Sequence, residues 1–168
     1  TYVATPIDAM QMLILRRADH ALLAEPAISI ALRKTGSFPV KLIAPDLYRS
    51  INLQEEWGRL YKIEAKIPQA GLAIIGDTNG KEELISKVLA EYDKSLAWYK
   101  NNKEEASKLV VKTLPMLEEK GLADSIEYVR FENISAIKSK KELEFFFDIL
   151  MQNDSKLIGG KLLNEDFY

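Results

Sequence analysis

Residues 18–26 read ADHALLAEP, and how this stretch is read decides the fold. Its apolar run, His20–Ala24, is too short for an ordinary helix and stops at an acid followed by a proline. A run of this length bounded by polar residues reads as a strand entering the interior. On an extended chain His20 and Glu25 stand roughly 16 Å apart, too far for an acid–base pair. His20 is then a strand-start or surface residue, and Glu25 becomes the informative position. In an open parallel sheet the ligand crevice lies outside the carboxyl ends of the strands, and Glu25 falls at that rim. It reads two ways: as a ligand or hinge contact, or as a carboxylate favouring the positive end of the helix that follows Pro26.

Working outward, Thr5-Pro6-Ile7-Asp8 has the form of a helix start, with a capping hydroxyl, a proline in the first turn and an early acid. The helix continues through DAMQMLILRRA, where Ile7, Met10, Leu13, Ile14 and Ala18 fall roughly on one side. After the run at 20–24, AISIALRKTG predicts a second helix closed by Gly36, and VKLIA at 40–44 a second strand closed by Pro45-Asp46. The order helix, strand, helix, strand predicts an α/β fold, a parallel sheet covered by helices.

Beyond Tyr48 the pattern is weaker, with a helical turn or two expected around Trp57, and Gln69-Ala70-Gly71-Leu72-Ala73-Ile74-Ile75 reads as a further strand. Asn79-Gly80-Lys81-Glu82 opens the longest helical pattern, whose apolar stripe holds Leu84, Ile85, Val88, Leu89, Tyr92 and Leu96. Asn101-Asn102 marks a break before EEASKLVVKTL. Ser139-Lys140-Lys141-Glu142 repeats a capping-box pattern before LEFFFDILMQN, with Leu143, Phe146, Phe147 and Leu150 facing inward, and Gly159-Gly160 marks a tight turn.

The 168 residues suffice for one ordinary domain or parts of two lobes, and 47% apolar with 29% charged residues is a globular composition. A formal charge of -2 gives no electrostatic case for nucleic acid. No apolar run is long enough to span a membrane, and the first residues lack the form of a secretory signal. The start at Thr1 suits a processed protein or a piece of a longer one.

The absence of cysteine removes disulfides and thiolate metal sites. One histidine and no HExxH, CxxC, GxSxG, GxGxxG or Walker pattern leave no catalytic constellation, no metal site and no cofactor motif. The chain is therefore expected not to be an enzyme. Four residues are candidates for ligand binding, each with a structural alternative. Thr5 can add a hydroxyl donor to an anion at a helix start or simply cap it. Glu25 has the two readings given above. Trp57 can line a pocket or fill the core, and Gln69 can recognise a ligand or bond across a connection with its two amide functions. Trp98 and Phe145–Phe147 lie on helical patterns and read as packing residues.

PIDAMQMLILRRADHALLAEPAISIAL, then PQAGLAII, a long helical segment, and FFFDILMQNDSKLIGGKLLNEDFY together resemble the carboxyl-terminal half of extracytoplasmic solute-binding proteins of ABC importers, of the nitrate/sulfonate/taurine and thiamine-precursor type. Leu163 stands where that pattern has proline. The resemblance implies a periplasmic-binding-protein-like (type II) two-lobe α/β fold, present in part. Residues 1–62 are then the later part of the second lobe, 63–70 the interlobe crossing, and 71–168 the return to the first lobe with its carboxyl-terminal helices. It further implies capture of a small polar or anionic organic solute, delivery to ABC permease subunits, and a periplasmic or lipid-anchored location on the outer face of the cytoplasmic membrane. The remaining amino-terminal half would lie in the same or a separate chain. The sheet edge this leaves open suggests a homodimer or swapped dimer. The alternatives are an enzyme or sensing module on the same fold, such as thiamine-precursor metabolism, and a protein-interaction domain.

Overall fold

Thr5 starts the first helix as its chemistry dictates. The Asp8 amide donates to Thr5 Oγ1 at 3.2 Å, the Thr5 amide donates back to Asp8 Oδ2 at 3.0 Å, and Pro6 takes a first-turn position where its missing N–H costs nothing. The structure, a computed structural model, describes residues 2–168, and of Asp166 only the backbone. Its α-helices are α1 (Pro6–Ile14), α2 (Ala27–Gly36), α3 (Leu53–Tyr61), α4 (Glu82–Asn101), α5 (Lys103–Thr113), α6 (Glu119–Ser125) and α7 (Lys140–Asn153). Short 3-10 helices lie at Val40–Leu42, Ser155–Ile158 and Glu165–Phe167, and no strand occurs among the described residues.

The expected α/β fold is therefore corrected to an all-helical one. Residues 20–24 have no regular structure and Leu22 is 78% exposed. The VKLIA run folds into a 3-10 turn followed by a bend, and residues 69–75 are irregular chain with Ile75 95% exposed. A strand exists only through a ladder with a neighbour, and these segments find no partner backbone. Type II periplasmic-binding folds require a β-sheet core, so the resemblance to ABC-importer solute-binding proteins fails on the same finding. With it go the solute cleft, the import role and the enzyme or sensor built on that fold.

The chain forms two compact units: one holds the residues up to Ser50 together with Leu84–Phe131, the other Ile51–Glu83 with Glu132–Tyr168. In the first, Met10 of α1 packs with Ile30 and Ala31 of α2, and Ile7, Ile14, Leu23, Leu47 and Leu117 close around them. Helix α6 lies so near α2 that a Cβ on Gly121 would stand 2.8 Å from the Ile30 Cα, which is why that position carries no side chain. Glu118 caps α6, its carboxylate accepting from the Lys120 and Gly121 amides at 3.1 and 2.5 Å. Small residues Ala106 and Ser107 are buried on α5, which packs on α6, and the Ser107 hydroxyl is satisfied by the Lys103 carbonyl at 2.7 Å.

In the second unit the organising element is aromatic. Trp57 of α3 meets Tyr61 at 4.5 Å and Phe145 and Phe146 of α7 at 5.8 and 5.9 Å between ring centres, in tilted and edge-on arrangements that suit ring quadrupoles. Gln54 holds the chain that leaves α3: its side-chain oxygen accepts from the Ile67 amide and its nitrogen donates to the Ile67 carbonyl at 3.4 Å. Asn52 caps α3 through the Gln54 amide at 3.0 Å.

Candidate functional site

Each residue expected to meet a ligand has a structural partner or an exposed position. Thr5 is spent on the α1 capping box. Glu25 is 9% exposed at its side chain, where Oε2 accepts from the Ser29 amide at 3.1 Å and Oε1 from Arg49 at 2.6 Å. The carboxylate thus performs the helix-start role foreseen for it and adds an ion pair. Trp57 sits half-buried in its aromatic cluster, and Gln69 is exposed on irregular chain. Thr5 and Glu25 belong to the first unit, Trp57 and Gln69 to the second.

Arg49 is the residue that sequence reasoning missed. Its guanidinium donates to Glu25 and, at 2.8 Å, to Ser29 Oγ, and it lies over the Tyr128 ring at 3.6 Å. Nothing local in YRSIN announces this, because the partners are supplied 24 residues upstream and by the turn after α6.

Beside this group, α2, α5 and the end of α6 border an open cleft of about 570 Å³. Its cations are each matched: Arg33 with Asp124 at 2.8 Å, Lys103 with Glu127 at 2.5 Å, and Arg49 with Glu25. The hydrogen bond from Lys103, and then its charge, hold the Glu127 carboxyl below its ordinary range. These internal pairs compete directly with any charged guest.

The least satisfied surface is α4. It is 20 residues long and contains no buried residue. Leu84, Val88, Leu89, Tyr92 and Trp98 are exposed, while Ile85, Leu96 and Tyr99 are half-buried. No helix of the first unit packs along it. Its anchor is at the carboxyl end, where Tyr99 meets Phe131 edge-on at 5.4 Å and Lys100 donates to the Phe131 carbonyl at 3.3 Å. Burial there pushes the Tyr99 phenol above its ordinary value. The sequence located this apolar stripe, with Leu84, Ile85, Val88, Leu89, Tyr92 and Leu96 as its members. Trp98, outside that stripe and expected in packing, is 42% exposed.

Among the described residues no group of three or more His, Cys, Asp or Glu side chains is placed to hold a metal ion. No helix among them is long and apolar enough to cross a membrane. No protein-family model, curated protein or solved structure matches the chain.

Proposed function

We propose that this protein is a non-catalytic interaction module that associates with a second copy of itself through the apolar stripe of α4. The observation that carries this reading is a 20-residue helix with no buried residue and five large apolar side chains in solvent. Most helices in proteins owe their stability to the packing of an apolar face rather than to propensity.

Fully covering a large apolar side chain is worth about 1.5–3 kcal/mol, so the five partly exposed ones on each of two copies recover roughly 8–15 kcal/mol together. Association costs on the order of 4–15 kcal/mol, so the pair forms with modest affinity. A lipid surface is a poorer occupant. Interfacial helices carry a basic polar face, whereas α4 has Glu82, Glu83, Glu91 and Asp93 against Lys87, Lys94 and Lys100.

Sedimentation over a wide concentration range tests the reading. The native chain is expected to shift from monomer to dimer as concentration rises, and the double variant Val88→Glu/Leu89→Lys to remain monomeric with its helical circular dichroism retained. A native chain that stays monomeric throughout would falsify the proposal.

A further inference from the structure

We propose that the cleft among α2, α5 and α6 binds an uncharged, hydroxyl-rich chain, a neutral glycan. Helices α2 and α5 each pack on α6 and not on each other. The cleft of about 570 Å³ that the three border falls in the volume range of small-ligand sites. None of the four residues expected from the sequence to meet a ligand lines it. Arg33 and Asp124 on its wall keep 41% and 44% of their side chains in solvent, so the site holds part of a chain lying across it and does not enclose a free solute.

The chemistry of the lining selects the guest. Arg33, Arg49 and Lys103 stand against Glu104, Asp124 and Glu127, three charges of each sign. An anion drawn to the first set is repelled by the second, and a cation meets the reverse. Hydrogen-bonding capacity is nevertheless left over, because each ion pair joins one nitrogen to one oxygen. Arg33 Nη2 donates to Asp124 Oδ1 at 2.8 Å, Lys103 Nζ donates to Glu127 Oε1 at 2.5 Å, and both bonds of Arg49 leave from Nη2. The remaining guanidinium nitrogens can only donate, and the second carboxylate oxygens can only accept. A hydroxyl does both, so adjacent sugar hydroxyls bond to a guanidinium and to its carboxylate partner without breaking the pair. Hydrogen bonds to ionised groups of this kind are roughly twice as strong as neutral ones. Tyr128, which lines the cleft and is 58% exposed, adds ring surface for the C–H groups of a sugar. An extended peptide is a poorer occupant. Its side chains need apolar pockets for anchorage, and the aliphatic side chains of the lining are Leu32 and Ala123.

Gly36 supplies the test. It lines the cleft, and a Cβ there would meet no atom within 4 Å, so Gly36→Leu adds bulk at the site without a clash in the fold. In amide NMR titrations of the native chain with maltohexaose, cellohexaose and mannohexaose, at least one sugar is expected to give saturable shifts at Gly36, Asp124 and Tyr128. Gly36→Leu is expected to abolish them with helical circular dichroism unchanged. Arg33→Met is expected to weaken binding about tenfold or more, the loss of a hydrogen bond to a charged group. Should Gly36→Leu lose helical signal, Arg33→Met, which breaks an exposed pair, carries the test.

Inorganic phosphate, triglutamate and hexaglycine are expected to leave the same amides unmoved. The proposal is overturned if no hexasaccharide shifts them, if a folded Gly36→Leu binds like the native chain, or if phosphate or a peptide binds where the sugars do not.

Discussion

Substituting Glu25 separates the two tasks that its carboxylate performs at the start of α2. Glu25→Ala removes the acceptor of the Ser29 amide, a loss worth about 0.5–2 kcal/mol for a helix start. It also takes away the acidic partner of Arg49. A fully buried pair broken this way costs about 3–5 kcal/mol, but the Arg49 side chain is 32% exposed and keeps Ser29 Oγ and the Tyr128 face. A value near the surface-pair figure of ~1 kcal/mol therefore applies. The sum is roughly 1.5–3 kcal/mol. Glu25→Gln retains a side-chain oxygen for the Ser29 amide and loses only the charge, so its cost is about 1 kcal/mol.

The assay is amide hydrogen exchange at Ser29, which reads opening at the site itself. With 1.4 kcal/mol per factor of ten, Glu25→Ala speeds exchange roughly ten- to a hundredfold and Glu25→Gln about fivefold. The Gly58 amide, in the other unit, is unaffected. A cycle with Arg49→Met is expected to show coupling of about 1 kcal/mol. Unchanged Ser29 exchange in Glu25→Ala, or strict additivity with Arg49→Met, refutes the reasoning.

Two further predictions follow from the same unit. Gly121→Ala places a methyl 2.8 Å from both the Ile30 Cα and Cγ1, so α6 must move off α2; denaturant unfolding is expected to lose about 1–3 kcal/mol, and no loss would mean the two helices do not approach so closely. Glu127 titrates below its ordinary value of 4.5 because Lys103 bonds and faces its charged form. A lowered folded value means that the pair contributes above the unfolded carboxylate range and that its contribution disappears as pH falls through the folded value. A carboxyl-carbon NMR titration is expected to place the Glu127 midpoint under 4.5 and to return it toward that value in Lys103→Met.

Where a helix begins or stops through its own side chains, the order of residues sufficed. Thr5 and Asp8 determine the start of α1, and the break at Asn101-Asn102 divides α4 from α5, whereas α2 runs through Gly36 and ends with an extended Ser37. These are contacts within a few residues, and their chemistry travels with the chain. Locality has limits even here. Ser139 stands at the start of α7, but its hydroxyl donates back to the Ser135 carbonyl at 3.0 Å and makes no cap. Helix α1 ends at Ile14, short of Ala18, as Arg16 turns into the left-handed region at a φ of 55°.

ADHALLAEP marks the boundary between what is local and what is not. Its sequence determined that an apolar run ends at an acid beside a helix start, and the acid does serve that helix. Whether the run becomes a strand was never a property of those residues, because a strand is completed by hydrogen bonds from another segment, and tertiary structure supplies none here. Tertiary structure likewise decided that Arg49 neutralises Glu25 and that the stripe of α4 is left in solvent. Periodicity shows that a helix has an apolar face, and only the arrangement of the other helices determines whether anything covers it.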